Sequence, residues 1–259
     1  WVDRAFAAKG AGTVVTGTLT GGTLQADDHL VLLPQQDEVR VRSLQSHHAE
    51  HASIGPGSRC AVNLVGVSHD QVARGDVLVR QDQWWTTTVF DASLQVLDAL
   101  SHPVSRRGAF VAYLGAGEHP VRMRILGPDG LAPGQTGSVR IFLPETLPLL
   151  PGDRFILRES GRSETIGGGQ VLDVDPQEKA STAQPDQSVD RVIKQRRWVS
   201  VEELEKLTGV RRPADVDRWV VDPVALHEAL ERVRSALEQA GPLGLELSSL
   251  SEHDRAAAG

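Results

Sequence analysis

Apolar and polar residues alternate with a period of two through most of the first 175 residues, and this alternation constrains the fold more than any other feature. The segments VRVRSL at 39–44 and CAVNL at 60–64 show it clearly. A period of two is typical of β-strands that bury one face. Short strands at close spacing favour small barrels, because closure removes exposed strand edges. We therefore expect two consecutive β-barrels, at residues 1–86 and 87–175.

The pattern changes towards the end of the chain. Residues 176–187 are polar and include two prolines, which predicts a linker. In residues 188–259 apolar residues recur every three or four positions, which predicts helices. Two short helices and a further strand-like stretch favour a winged-helix-like module. The predicted fold class is mainly β, with two small β-barrels followed by an α-helical winged-helix-like module.

Local signals predict where the helices begin and end. Ser200 and Glu203 form a capping box, and Gly209 is expected to end the helix that this box begins. Pro223 is expected to begin a longer helix. The predicted buried stripe of that helix comprises Leu226, Leu230, Val233 and Leu237.

Composition excludes several classes of protein. The 259 residues include one cysteine, so an internal disulfide and a multi-cysteine zinc site are excluded, and a reducing cytoplasm is expected. No apolar run is long enough to span a membrane. The net charge is −7, so binding to nucleic acid would need local basic patches. Because the chain begins at Trp1 and stops within a helix-like pattern, we expect a piece of a longer protein.

Two glycine-rich segments are predicted to be structural. GAGTVVTG at 10–17 could be mistaken for a phosphate-binding loop, but the sequence lacks the G-K-[S/T] that such a loop needs. The segment continues as a strand and not as a helix, which favours a tight turn. The glycines at 167–169 lie between apolar residues, which favours a turn or a bulge.

Some polar residues invite a functional interpretation. His47, His48 and His51 could ligate a metal, but Glu50 is their only nearby acidic residue, so we favour a surface loop with one functional histidine and no metal. No nucleophile–base–acid set stands out, so no catalytic residue is predicted. A basic cluster could contact nucleic acid or be a solvated helix face, and it comprises Arg191, Lys194, Arg196 and Arg197.

Asp3 and Arg4 are adjacent at the start of a strand, where side chains are expected to face opposite sides. Arg59 follows a Gly-Pro-Gly-Ser turn and enters an apolar strand. From pattern alone, the favoured interpretation is an ordinary surface pair for Asp3 and Arg4 and a strand-end arginine for Arg59.

Three stretches resemble a known family. VDRAFAAKGAGTVVTGTL at 2–19 is similar to the opening of the second domain of translational GTPases, most closely the selenocysteine-specific elongation factors (SelB family). QSH at 45–47, GSRCAVNL at 57–64 and RGDVL at 74–78 look like the rest of that barrel. PGDRFILR at 151–158 and TIGGGQVL at 165–172 resemble the end of the third domain of elongation factor Tu and its relatives. The order of barrels, linker and winged-helix-like module favours the SelB family, because elongation factor Tu ends after its third domain.

The resemblance implies a GTPase domain ahead of these barrels in a longer parent protein, which would bind GTP and Mg²⁺. Its P-loop, D-x-x-G and N-K-x-D signals do not occur in this sequence. We therefore expect this chain by itself to be no enzyme and to hold no cofactor.

The resemblance also implies binding residues. Asp3, Arg4 and Arg59 fall on the family's pocket for the aminoacyl end of selenocysteyl-tRNA, and His47 falls near it. A selenol is far more acidic than a serine hydroxyl, so selenocysteine is an anion at neutral pH that arginines favour. The third domain is implied to grip the tRNA stem. Candidates there are Arg154, Arg158 and Arg162, which could instead pair with Asp153, Glu159 or Glu164.

Further partners implied by the resemblance are the ribosome and the selenocysteine insertion element of the messenger RNA. More C-terminal winged helices of the family bind that element, so the module at 188–259 is expected to be a spacer. A monomer is expected. Two alternatives stay open. The chain could be the barrels of another elongation factor Tu-like GTPase, such as the GTP-binding subunit of sulfate adenylyltransferase, or a protein-interaction module without an RNA role. Arg4, His47, Arg59 and the helical tail argue against the former.

Overall fold

The computed structural model describes residues 1–10, 12–127, 129–241 and 244–259. The chain divides into two compact units, Trp1–Pro185 and Asp186–Gly259. The first holds both barrels and the second holds the helices. The predicted fold class, two β-barrels followed by a helical module, is confirmed.

The first barrel is an antiparallel sheet in the order β1-β2-β8-β5-β4-β9, with β6 paired to β5 and a separate β3–β7 pair. Val2 N–H donates to Asp76 O at 2.8 Å and Gly75 N–H to Val2 O at 2.9 Å, which joins the two ends of the sheet. The strands are β1 (Val2–Ala8), β2 (Gly12–Thr18), β3 (Leu24–Gln25), β4 (His29–Leu33), β5 (Asp37–Ser46), β6 (Ala49–His51), β7 (Ser53–Ile54), β8 (Arg59–Val65) and β9 (Val77–Val79).

Alternation explains the core of this barrel. The inward residues Leu32, Val41 and Leu44 are fully buried. The glycine-rich segment forms the turn between β1 and β2, where Gly10 and Gly12 have φ of +79° and +85°. These are left-handed values that glycine adopts without strain. Ala11, within the same motif, lies outside the described residues. The expectation of a turn between strands is therefore confirmed.

The second barrel is closed, with strands in the order β10-β15-β13-β12-β16-β17, and β11 pairs with β14 beside it. Phe90 and Phe155 meet edge-on inside it, with ring centroids 6.0 Å apart. The strands are β10 (Thr86–Val96), β11 (Val104–Ser105), β12 (Phe110–Leu114), β13 (Gly117–Leu126), β14 (Gly130–Leu131), β15 (Thr136–Pro148), β16 (Arg154–Glu159) and β17 (Glu164–Asp173).

The three consecutive glycines lie within β17 and not in a turn. A Cβ at Gly169 would lie 1.8 Å from the carbonyl oxygen of Ser93, and one at Gly167 would lie 2.2 Å from that of Gln95. Glycine is therefore needed where β10 and β17 approach to close the barrel. The register shifts at the preceding residue, Ile166, so the predicted bulge lies beside the glycines and the predicted turn was wrong.

The helical unit contains α1 (Val189–Arg196), β18 (Trp198–Ser200), α2 (Val201–Thr208), β19 (Trp219–Val221), α3 (Pro223–Ala240) and α4 (Glu252–Ala258). Ser200 Oγ accepts a hydrogen bond from Glu203 N–H at 3.1 Å, as the capping box predicts. Gly209 ends α2 at φ +72°.

The buried stripe of α3 differs from the prediction. Ala225, Ala229 and Val233 are buried, whereas Leu230 and Leu237 are 44% and 50% exposed. The contact face follows residues four apart, and its alanines allow close approach of the backbone. The sequence prediction selected leucines for this face. The face that packs most closely is instead formed largely by alanines, whose side chains are small.

Candidate functional site

A bulge in β1 turns both Asp3 and Arg4 to the outside of the first barrel. Val2 is buried and Ala5 packs on the same core, although strict alternation would place them on opposite faces. The register shifts between Val2 and Arg4, which supplies the extra residue. In such a bulge two successive residues share one face. The expectation that Asp3 and Arg4 face opposite sides was therefore wrong.

Arg59 meets Asp3 across β2. In the sheet Arg59 lies opposite Thr18, and Gly17 lies opposite Val2. The Arg59 guanidinium donates to an Asp3 carboxylate oxygen at 2.5 Å. The side chains are 59% and 30% exposed respectively, so water and ligands can reach the pair.

His47 lies at the same end of the sheet. His47 and His48 form the two-residue turn between β5 and β6, with φ of 51° and 64°. Beside this turn, Ser46 Oγ donates to the carbonyl oxygen of Arg59 at 2.8 Å. The β5–β8 register, extended by two residues from the Gln45 pair, brings His47 level with Arg59.

No metal site is found among these histidines. Within the described residues, no group of three or more His, Cys, Asp or Glu side chains is placed to hold a metal ion. His51 Nε2 lies 3.3 Å from the carbonyl oxygen of Ser46.

The charge of the site depends on Arg4. Asp3 neutralises Arg59 locally, whereas Arg4 is exposed and has no ion-pair partner among the described residues. The three side chains together carry one net positive charge. The arrangement can therefore attract a single anionic group.

Two polar residues on this face were missed by the sequence analysis. Thr16, opposite Arg4 in the register, and Asn63, two strands from β1, have buried side-chain oxygens with no hydrogen-bond partner in the described structure. Both alternate with core residues of their strands, and Asn63 is only 8% exposed. Buried polar atoms usually have partners. The signal in the sequence was a polar residue at the outward position of an otherwise apolar strand, as in CAVNL.

The second barrel carries the other predicted arginines. Arg154 and Arg158 lie on the outward face of β16, alternating with buried Phe155 and Leu157. Arg158 donates to the carbonyl oxygen of Ser163 at 2.9 Å. Arg162 donates to Glu159 at 2.9 Å, which is one of the two outcomes that the sequence left open. Arg154 is exposed and has no described partner.

Asp153 does not pair with these arginines. Its carboxylate accepts a hydrogen bond from Leu150 N–H at 2.9 Å. Burial raises the pKa of this carboxyl group above its usual range.

Two further arginines extend this exposed basic surface. Arg122 and Arg124 occupy outward positions of β13, which alternates buried and exposed residues. The Arg122 guanidinium lies 5.4 Å from the centre of the Phe142 ring, within cation–π range. The alternation VRMRIL at 121–126 could have revealed both arginines.

The basic cluster of the helical unit is largely neutralised. Arg191 pairs with Asp186, Arg196 with Glu203 and Arg197 with Glu228. This favours the interpretation of a solvated helix face over that of a nucleic-acid contact.

None of the described helices combines the length and the apolar character that crossing a membrane requires.

Comparison with protein families gives two matches. Residues 12–79 match the model of elongation factor Tu domain 2. Residues 91–178 match the model of the selenocysteine-specific elongation factor β-barrel domain. The two matched segments correspond to the two barrels of the fold.

Relatives agree with these matches. The selenocysteine-specific elongation factor of Desulfomicrobium baculatum is 33% identical over 171 residues, which cover 66% of this chain and 27% of that protein. The one from Haemophilus influenzae is 29% identical over 174 residues, covering 67% and 27%. Elongation factor 1-alpha of Pyrobaculum arsenaticum is 29% identical over 197 residues, covering 68% and 44%. The chain thus spans about a quarter of the length of the selenocysteine-specific relatives.

Solved structures share the fold. A bacterial selenocysteine-specific elongation factor, EF-Sec, superposes with a TM-score of 0.72 at 19% identity, covering 95% of this chain and 43% of that one. The apo form of SelB from Methanococcus maripaludis gives a TM-score of 0.57 at 24% identity, covering 68% and 42%.

Proposed function

This chain belongs to the elongation factor Tu-like translation factors and carries the β-barrel domain of the selenocysteine-specific elongation factors, and from this premise we propose that it binds selenocysteyl-tRNA. In this proposal the first barrel holds the selenocysteyl group and the second holds the tRNA stem. The observation that carries it is the exposed Arg4, which has no ion-pair partner among the described residues, beside the accessible Asp3–Arg59 pair.

Arg4 is the proposed anion contact. The selenolate of selenocysteine is charged at neutral pH, whereas the hydroxyl of serine is not. A hydrogen bond to a charged group contributes roughly 1.5–3 kcal/mol, which is about a 10- to 150-fold preference. Arg59 contributes less, because Asp3 already accepts from it.

Asp3 and His47 complete the proposed site. The Asp3 carboxylate is 30% exposed and suits the α-ammonium group of an aminoacyl ester while it orients Arg59. His47, in its turn, offers a ring nitrogen as a further hydrogen-bonding group for the ligand.

The second barrel is proposed to contact the phosphate backbone. Arg154 and Arg158 on β16, with Arg122 and Arg124 on β13, form an exposed basic surface. Double-stranded RNA is recognised mainly through its shape, phosphates and 2′-hydroxyls, which suits arginines on a rigid barrel. Arg162 is a weaker candidate because Glu159 pairs with it.

The remaining roles follow the same family and are proposals too. GTP and Mg²⁺ would bind the GTPase domain of such a factor, so we expect no GTP hydrolysis by this chain alone. The ribosome, the insertion element of the messenger RNA and a cytoplasmic monomer complete the proposal.

The test measures binding of this chain to selenocysteyl-tRNA and seryl-tRNA that share one tRNA body, by titration at fixed salt. We expect tighter binding of the selenocysteyl form and a loss of most of that preference in Arg4→Gln. Lys9→Gln is the matched control, because this exposed cation lies at the other end of β1. Equal affinity of the wild-type chain for both tRNAs would overturn the proposal.

A further inference from the structure

The segment between the two units is held at both ends by arginines. Residues 176–187 were predicted to be a linker on composition alone. In the structure, Arg140 on β15 donates to the carbonyl oxygen of Glu178 at 2.9 Å. At the other end, Arg191 on α1 donates to the Asp186 carboxylate at 2.8 Å and to its carbonyl oxygen at 2.9 Å.

The barrel end of this segment is strongly built. Arg140 is 9% exposed and makes two hydrogen bonds to Asp91, at 2.6 and 2.8 Å. Asp91 lies opposite both Arg140 and Asp173 in the barrel register. Asp173 accepts from the backbone N–H of Asp175 at 2.9 Å. A guanidinium held by two hydrogen bonds presents its third nitrogen, Nη1, to the carbonyl oxygen of Glu178 at little further entropic cost.

The match to the β-barrel family runs from 91 to 178 and agrees with this boundary. The matched segment begins at Asp91, whose carboxylate accepts two hydrogen bonds from Arg140. It ends at Glu178, whose carbonyl oxygen accepts a third. Residues 174–178, which we call the strap, therefore belong to the barrel. Val174 within the strap is fully buried.

The helical end has its own anchor. The Arg191 side chain is only 15% exposed, and Asp186 also accepts from Ser188 N–H at 2.9 Å. Between the two anchors lie residues 179–185. Within these, the Lys179 carbonyl oxygen accepts from Thr182 N–H at 2.9 Å and Ala183 N–H at 3.0 Å, so part of this short stretch is a turn.

We propose that Arg140 and Arg191 are a pair of clamps that set the length of the tether between the barrels and the helical unit. Clamping leaves only residues 179–185 to span the two units. These extend to at most about 24 Å, against about 41 Å for 176–187. The effective concentration of one unit near the other falls as roughly the −3/2 power of tether length. Shortening the tether from twelve residues to seven therefore raises this effective concentration roughly twofold. A ligand that contacts both units would bind more tightly as a result.

Limited proteolysis with trypsin tests directly whether Arg140 holds Glu178 in place. Lys179 is the only lysine or arginine between Arg162 and Arg191, and it follows the clamped residue. Arg140→Gln combined with Asp91→Asn replaces the buried ion pair by a neutral pair, which limits the damage to the barrel. We expect cleavage after Lys179 to accelerate roughly tenfold, because the strap opens locally. Arg234→Gln, which removes an exposed ion pair on α3, is the matched control and should leave the rate unchanged.

A measurement of the distance between the two units tests the Arg140 and Arg191 contacts together. It does not depend on a protease. Dyes on cysteines introduced at Glu118 in the second barrel and Glu238 in α3 report the spread of distances between the units. Both positions are exposed. Adding Arg191→Gln to the double variant should widen the distribution by roughly 4–5 Å, as expected for a flexible chain of twelve residues instead of seven.

The outcomes decide the proposal. Faster cleavage with intact barrels, shown by unchanged cleavage at Arg124 within β13, together with a wider distribution, supports it. Unchanged cleavage after Lys179 in a folded double variant would overturn the barrel clamp. An unchanged distribution in the triple variant would overturn the claim that the clamps set the tether length.

Discussion

Each barrel carries an aspartate–arginine pair on its outer surface, and the two pairs differ in how exposed they are. In the first barrel the Asp3 and Arg59 side chains are 30% and 59% exposed. In the second the Asp91 and Arg140 side chains are 2% and 11% exposed, and Arg140 also holds a backbone carbonyl of the strap. The same two residue types therefore form a solvent-accessible pair in one barrel and a buried pair in the other.

The physical difference is hydration. Exposed ions keep much of their water, so their pairing contributes little to stability and a ligand can exchange with either partner. Buried ions have lost their water, so each depends on the other. Residue type alone is thus a poor guide to function, because the exposure of an aspartate–arginine pair to water decides its role.

The largest expected effect is on the buried pair. Arg140→Ala leaves Asp91 buried without its guanidinium, and breaking a buried pair in this way costs about 3–5 kcal/mol. Urea unfolding of the variant, followed by far-ultraviolet circular dichroism, measures the loss. A loss in the free energy of unfolding below about 1 kcal/mol would show that the buried Asp91–Arg140 pair behaves like the exposed Asp3–Arg59 pair.

The second prediction contrasts the glycines of the two barrels. Gly169→Ala places a Cβ against the Ser93 carbonyl oxygen in the closed barrel. Overpacking of this kind costs typically about 1–3 kcal/mol. Gly21, in the first barrel, has nothing within 4 Å of its Cβ position, so Gly21→Ala is the matched control. Equal unfolding midpoints for the two variants would show that barrel closure does not require Gly169.

Much of the fold could be predicted from the sequence, because alternation and helix caps are local signals. The two barrels, the turn at Gly10 and Gly12, and the capping box at Ser200 are all of this kind. The bulge at Asp3 was missed, because it appears only as a break between two core contacts, Val2 and Ala5.

The site was only partly predictable for the same reason. Arg59 and Asp3 could be named from the resemblance, but their pairing depends on the register across β2. The role of Arg140 was invisible, because its partners Asp91 and Glu178 are distant in sequence. Burial and strand register are properties of the folded chain that no local sequence pattern shows.

The third prediction concerns pH and contrasts two histidines. Burial lowers the pKa of His119 in the second barrel, and the Glu145 carboxylate, 3.3 Å from its ring, opposes this in part. The unfolded chain therefore binds a proton more readily than the folded one. This contribution to stability is present above the unfolded pKa of about 6.5 and is lost as pH falls below it. Urea midpoints at pH 7.5 and 5.5 should differ less in His119→Gln than in wild type.

The matched control for this effect lies in the first barrel. His47→Gln, at an exposed turn position, is the control for the substitution itself. If His47→Gln reduced the dependence as much as His119→Gln, burial would not be what separates the two histidines.

The smallest expected effect on stability belongs to the exposed pair. Arg59→Gln removes the guanidinium from Asp3, but Asp3 is partly hydrated and stays so, and exposed pairs contribute about 0–1 kcal/mol. The variant should therefore unfold within about 1 kcal/mol of wild type, measured in urea beside Arg140→Gln. Screening by salt sharpens the test, because 1 M salt should remove most of the Arg59 effect and little of the Arg140 effect. A cost for Arg59→Gln that matches Arg140→Gln and resists salt would mean that the first pair is an anchor as well, and Arg4 alone would remain as the anion contact of the proposed site.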